Sequence, residues 1–155
     1  MEPITAGILG TTPHEVEAGN YRHGMELVRI GIVESTLVDA APRQGDEGSP
    51  DAWIVIDERF AGAARDIAAG DELILVTWLD RADRAVLAVH PRDDPDRPVT
   101  GVFSTRSPDR PNPLGLHTVT VLAVDGRRLR VRDLEAFDGT PVVDVKPVLR
   151  PLGQR

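Results

Sequence analysis

Apolar residues in this sequence come in runs of strand length, and only one stretch spaces them for a helix. Leu27–Ser35 (LVRIGIVES) mixes β-branched residues with alternation and predicts a first strand. Trp53–Ile56 predicts a short second strand, and Glu72–Leu79 (ELILVTWL) a largely apolar third. Ala85–His90, Val102–Thr105, Thr118–Val124, Leu129–Val131 and Val142–Val148 continue the pattern. Asp125-Gly126 between two alternating runs predicts a two-residue hairpin turn. Only Glu58–Ala69 places apolar residues (Phe60, Ala63, Ala64, Ile67) at helical spacing, with Gly70 as its stop signal. Residues 40–51 and 91–100 are polar loops rich in proline and aspartate or glycine. Seven or eight strands to one helix predict a mostly-β fold, either a barrel or a strongly curved sheet.

At 155 residues the chain has enough material for one sizeable core. Residues 1–24 show no periodicity and carry Gly7, Gly10, Pro13 and Gly19, so they are expected to be an appendage to a domain over residues 25–155. The absence of cysteine rules out disulfides, a thiolate nucleophile and cysteine-bearing zinc sites. His14, His23, His90 and His117 include no pair at a helix-face metal spacing, so no metal is expected. No apolar run reaches the length of a membrane span, and the first 24 residues lack the basic start and apolar core of a signal peptide. A cytoplasmic protein without a membrane partner is the expectation. The net charge of −7 divides unevenly, at −10 for residues 1–80 and +3 for residues 81–155. The C-terminal half is therefore expected to face anions. Seventeen of the 18 basic residues are arginine, and Lys146 is the only lysine. Genomic base composition accounts for such a bias, but a compact ammonium and a planar guanidinium are not interchangeable, so the lysine is of interest.

The segment Gly101–Gly115 (GVFSTRSPDRPNPLG) sets Arg106 and Arg110 four residues apart, with prolines at 108, 111 and 113. Proline fixes its own φ and holds the preceding residue extended, so the segment is stiff and cannot be helical. Two guanidinium groups on a stiff loop are preorganised for a carboxylate or phosphate. The same residues also suit a structural turn whose arginines are solvated or paired with local aspartates. The chain has no G-x-G-x-x-G following a strand, which argues against a doubly wound nucleotide-binding fold.

The Gly101–Gly115 string resembles, over its whole length, the signature of the TsaA-like family of β-barrel S-adenosylmethionine-dependent tRNA methyltransferases, typified by the threonylcarbamoyladenosine N6-methyltransferase. A second block, Leu134–Pro147 (LEAFDGTPVVDVKP), is similar to that family at nearly every position. Looser matches are Ile30-Gly31-Ile32, Pro42-Arg43-Gln44 and Val89-His90-Pro91-Arg92, and together the resemblance covers about residues 27–150. It implies a single-sheet β-barrel with one short helix and long loops, not a Rossmann fold. It also implies an S-adenosyl-L-methionine cofactor, a tRNA partner and a homodimer with the cofactor near the subunit interface. Residue by residue, it carries a cofactor-binding role to Pro42, Arg43, Gln44, Leu79, Asp80, Arg106, Leu116, Asp133, Leu134 and Glu135. Arg106 becomes a candidate partner for the cofactor carboxylate. Substrate-binding candidates are Arg110, Asn112, Asp138, Thr140, Asp144 and Lys146, and no catalytic residue is assigned.

Blander roles stay open for several of these residues. Asp138 suits a turn cap, and Asp144 with Lys146, alternating on one strand, suits an exposed pair. His90 and His117 are each a general base or a satisfied turn or strand histidine. The sequence departs from the family at Glu135, where aspartate is usual, at Val148, where tyrosine is usual, and at Leu79-Asp80, where some members have histidine and glutamine. These departures bear on the methyl acceptor more than on the cofactor. Three functions follow: methylation of N6 of threonylcarbamoyladenosine in the tRNA anticodon loop, methylation of a small molecule in the same pocket, or a non-catalytic S-adenosylmethionine-binding regulatory module. In the first, Arg106, Arg110, Arg127, Arg128, Arg130 and Arg132 would meet phosphate and carboxylate groups.

Overall fold

The computed structural model describes residues 24–39 and 48–149. Eight strands run in the order β1 (Gly31–Glu34), β2 (Ala52–Ile56), β3 (Glu72–Trp78), β4 (Ala88–Val89), β5 (Thr100–Gly101), β6 (Leu114–Asp125), β7 (Arg128–Val131) and β8 (Pro141–Pro147). Six of them close into a barrel in the order β1-β2-β7-β6-β3-β8, every pairing antiparallel, while β4 and β5 form a separate small hairpin. The mostly-β expectation is therefore met.

Alternation sets which side chains fill the interior. Val33, Ile54, Leu75, Val119, Val121, Leu129, Val131 and Val142 point inward and are almost wholly buried. Each contributes roughly 1.5–3 kcal/mol relative to an exposed side chain of its kind. A barrel this small has no room for a channel, so these side chains pack as a solid core. Register shifts at Val76/Thr77 in the β3–β8 pairing and between Val121 and Ala123 in the β6–β7 pairing add the local twist that a six-stranded sheet needs to close.

Strand lengths are unequal, and this decides where the barrel is open. β6 is 12 residues long, but β7 pairs with it only from Val121 to Asp125. Among the described strands, Leu114–Thr120 therefore has β3 on one side and no strand on the other. The chain leaving β7 turns into that space. Arg132 N–H donates to Thr120 O, Leu134 N–H donates to Pro50 O, and Leu134 and Ala136 join the core as a plug.

Several sequence expectations shift in detail. The stretch expected to be helical over 58–69 is a 3₁₀ helix over Glu58–Ala64. It has no side-chain cap and no fully buried residue, and Phe60, Ala64 and Ile67 pack on the outside of the core. A piece this short gains too little to sustain α-helical propagation. Val102–Ser104, expected as strand, is a 3₁₀ turn because Thr105 folds back to bond Val102 O through both its N–H and its hydroxyl. The Ala85–His90 run supplies only the two paired residues of β4. The hairpin after β6 turns on Gly126-Arg127, one residue later than Asp125-Gly126, because Asp125 still pairs with Arg128. Gly126 at φ +56° supplies the left-handed first position of that turn.

Candidate functional site

Strand direction brings most of the candidate residues to one end of the barrel. β3 ends at Trp78, so Leu79 and Asp80 leave from the same end at which Leu114 starts β6. β7 ends there at Val131 opposite Ala52, and β1 ends there at Glu34 opposite Trp53. Leu79, Asp80, Arg106, Leu116, the segment Asp133–Glu135 and the Asp138–Thr140 turn are thus neighbours at one rim or just below it. Pro42, Arg43 and Gln44, between β1 and β2 in the sequence, lie outside the described residues.

The signature loop is held by its own side chains. Thr105 N–H and Oγ1 donate to Val102 O at 3.0 and 2.9 Å, and Ser107 N–H donates to Thr105 Oγ1 at 3.2 Å. Arg110 donates from Nε to Ser107 O at 2.7 Å and from an Nη to Val102 O at 3.0 Å and Thr105 O at 2.6 Å. Arg106, by contrast, is exposed, and its guanidinium makes one long contact of 3.4 Å with Leu116 O on the open edge of β6. Asn112 is exposed, and its Oδ1 accepts a weak 3.4 Å bond from Arg84, which also donates to Pro111 O and stacks 5.2 Å over the Trp78 ring.

The second block forms the opposite side of this end. Asp133 adopts φ +54°, a left-handed conformation that aspartate tolerates better than most side chains, and this reverses the chain out of β7. Leu134 is completely buried, so a ligand would meet its backbone or neighbours and not its side chain. Asp138 Oδ1 accepts from Ser35 N–H at 3.0 Å, so its carboxylate ties this turn to the chain leaving β1 and does not cap its own turn in that bond. Gly139 at φ +80° completes the turn and donates to Val33 O, while Thr140 is buried beneath it. Arg81, after β3, donates to Val38 O and stacks 4.7 Å over Phe137, tying the two sides together. Beside Asp138 an open groove of about 580 Å³ runs past Glu34, Asp51, Trp53 and Arg130, a volume in the range of small-ligand clefts. Its lining includes Asp138, a substrate-binding candidate, and Arg130, one of the arginines expected to meet phosphate or carboxylate.

Asp144 lies level with Leu116 near this end, since both pair with Val76, and Lys146 sits two residues further from it. They sit on the outer wall of β8 beside Val76 and Ile74, and their side chains pair with each other at 2.9 Å, half-exposed or more. His117 points into the barrel, 7% exposed, with Nε2 3.0 Å from Thr77 Oγ1, which is the satisfied strand histidine of the two expectations. His90 is exposed, and its Nδ1 contacts Arg97 O at 2.8 Å.

Folding pairs part of the charge of the two halves with each other. β7 pairs with β2 beside β1, so Arg128 meets Glu34 at 2.7 Å and stacks 4.5 Å over Trp53, while Arg130 meets Asp51 at 3.2 Å. Arg127 donates to Ile56 O. The arginines of β7 are thus paired across the barrel with acids from the N-terminal half. Among the described residues, no group of three or more acidic or histidine side chains is arranged to hold a metal ion, and no helix is long and apolar enough to cross a membrane.

The exposed apolar surface of this end was not foreseen. Five apolar side chains are exposed on or near it: Phe103 (83% exposed), Leu87, Val99, Leu114 and Leu116. The β-alternation of LGLHTV placed Leu114 and Leu116 on one face, but not which face. Phe103 read as a strand residue and proved to be the tip of a 3₁₀ turn.

Comparison with known proteins agrees with the fold and the motifs. A probable S-adenosyl-L-methionine-binding protein of Archaeoglobus fulgidus is 44% identical over 126 residues, covering 79% of this chain and 34% of that protein. A second Archaeoglobus fulgidus protein, an S-adenosyl-L-methionine-binding protein, is 41% identical, covering 79% of this chain and 88% of its own length. The chain therefore spans about a third of one of these relatives and most of the other. Among solved structures, TrmO from Pseudomonas aeruginosa aligns with a TM-score of 0.64 at 22% identity, over 82% of this chain and 57% of that one. A further TrmO structure gives 0.65 at 26% identity, over 82% and 58%. Residues 33–152 match the tRNA-methyltransferase O N-terminal domain, and the chain belongs to that family.

Proposed function

We propose that this chain is an S-adenosylmethionine-dependent methyltransferase that acts on tRNA in the cytoplasm, at N6 of threonylcarbamoyladenosine beside the anticodon. Its working unit is the domain over residues 25–155, paired with a second copy. The observation that carries the reading is the position of Arg106, an exposed guanidinium with one weak bond to the open edge of β6, at the end of the barrel that Leu79, Asp80 and Asp133–Glu135 share. A preorganised guanidinium suits the carboxylate of the cofactor's amino-acid end. The open edge of β6 at Leu116, whose carbonyl takes the weak Arg106 bond, and the chain at Asp133–Glu135 suit the donors and acceptors of an adenine edge. The exposed apolar side chain of Leu116 suits its flat ring.

When bound, the cofactor supplies a methyl group on a sulfonium, transferred in line to a nucleophile. The protein's task is to orient the acceptor nitrogen and exclude water, so positioning carries most of the catalysis. The stiff signature loop and the plugged barrel end serve that task, because neither has to be ordered when the acceptor arrives. Exposed Phe103, Leu87, Val99, Leu114 and Leu116 favour a second copy of the chain next to the site, since apolar residues grouped in this way mark interaction surfaces.

Incubation with S-adenosylmethionine carrying a labelled methyl group and with tRNA bearing threonylcarbamoyladenosine tests the reading. Label in the tRNA supports it, and no label with demonstrably modified tRNA contradicts it. One observation favours a small-molecule acceptor in the same pocket. The Arg128–Glu34 and Arg130–Asp51 pairs neutralise arginines that a tRNA phosphate backbone would use. Label transferred to small metabolites and not to tRNA selects that alternative. Cofactor binding without turnover on either acceptor selects a regulatory module.

A further inference from the structure

Arg110 reads in the sequence as a group that reaches out to a ligand, but its contacts point inward. Its Nε and one Nη grip Ser107 O at 2.7 Å and Thr105 O at 2.6 Å, the two carbonyls that flank Arg106. The same Nη also reaches Val102 O at 3.0 Å, the acceptor that already receives both Thr105 donors. A guanidinium offers several N–H donors in one plane with fixed spacing, so it can hold carbonyls on both sides of a single residue. An ammonium cannot, because it is a point donor on a flexible stem. The arc Thr105–Ser107 is thereby bent around Arg110, and Arg106 is the residue at its apex.

We propose that Arg110 is a positioning residue that acts through Arg106. By clamping the carbonyls before and after Arg106, it fixes the direction in which the Arg106 guanidinium leaves the loop, toward Leu116 O and the open edge of β6. Among the described residues, the Arg106 side chain is exposed and its one hydrogen bond is the 3.4 Å contact with Leu116 O. Its preorganisation for an anion must come from its backbone, and that backbone is held by Arg110. The inference rests on the reading of Arg106 as the group that meets the cofactor carboxylate.

The test compares two probes by calorimetry. S-adenosylhomocysteine carries the carboxylate, and methylthioadenosine has the same nucleoside without the amino-acid end. Each is titrated into the wild-type protein, Arg110→Lys, Arg106→Ala and the double variant, with far-UV circular dichroism confirming the fold. The expected result is a loss of about tenfold or more in S-adenosylhomocysteine affinity for each single variant, the scale of a lost charge-assisted hydrogen bond. The double variant should bind no more weakly than Arg106→Ala alone, and methylthioadenosine affinity should stay within about twofold throughout, within the coupling error for independent sites. Equal loss for both probes would mean that Arg110 serves only the fold, and it overturns the proposal. So do additive losses, or an unchanged S-adenosylhomocysteine affinity in Arg110→Lys. A wild-type protein that binds neither probe overturns the cofactor reading itself and the inference with it.

Discussion

Gly115 is where the signature loop enters β6, and the structure gives a physical reason for its lack of a side chain. A Cβ built there collides with Thr77 Oγ1, lies 2.8 Å from His117 Nε2 and lies 3.3 Å from Leu79 Cδ2. Thr77 is completely buried and His117 nearly so, and the two bond to each other at 3.0 Å, so neither can retreat without breaking that bond. Forcing an extra methyl into a filled core costs about 1–3 kcal/mol. Losing one internal hydrogen bond adds about 0.5–1.5 kcal/mol. Gly115→Ala should therefore destabilise the protein by about 2–4 kcal/mol, which at about 2–4 °C per kcal/mol for a chain of this size lowers Tm by about 4–16 °C. Urea unfolding followed by circular dichroism measures this. Thr77→Ala in the same background removes the colliding hydroxyl and should recover at least about 1 kcal/mol relative to additivity, the range seen for residues in direct contact. A Gly115→Ala variant within about 0.5 kcal/mol of wild type, the usual span of harmless surface changes, would refute the close-approach reasoning.

Gly139→Ala separates backbone strain from crowding: its φ is +80° but nothing lies within 4 Å of a built Cβ, so a loss of only about 1–2 kcal/mol is expected in the same urea assay. Leu134→Ala should cost about 2–5 kcal/mol, since the side chain is completely buried as a barrel plug, and a smaller loss would show that the plug is loose. The Arg128–Glu34 pair is partly exposed, so its coupling energy in a double-mutant cycle of Arg128→Ala and Glu34→Ala should stay below about 1 kcal/mol. Phe103→Asp should convert a dimer to a monomer in sedimentation equilibrium while leaving the circular dichroism spectrum unchanged, and an unchanged mass would remove this surface from the interface.

The fold was legible wherever side-chain alternation was strong. β2, β3, β7 and β8 fall within a residue or two of their expected bounds, because each must alternate to face one core. What failed was set by contacts distant in sequence or by local polar groups. Val102–Thr105 alternates well enough for a strand, but Thr105 bonds back to Val102 O and curls it. The helical spacing of 58–69 is real, yet those apolar residues lie on the barrel's outside and support only one short 3₁₀ piece. The motifs located the candidate site, but not how its residues are used. Nothing in TRSPDRPNP distinguishes an arginine that faces a ligand from one that grips its own loop, since that depends on which carbonyls the prolines turn inward. Nor does composition reveal that arginines of β7 meet Glu34 and Asp51, because strand order, not sequence distance, makes them neighbours.

A crystal structure with S-adenosylhomocysteine bound tests the central claim most directly, because it locates the ligand among competing surfaces at the same end of the barrel. The account predicts its adenine between the open edge of β6 at Leu116 and the chain at Asp133–Glu135, with its carboxylate on the Arg106 guanidinium and Arg110 still gripping Thr105 O and Ser107 O. Ligand density in the Glu34–Asp51–Trp53 groove instead, with Arg106 untouched, would contradict it.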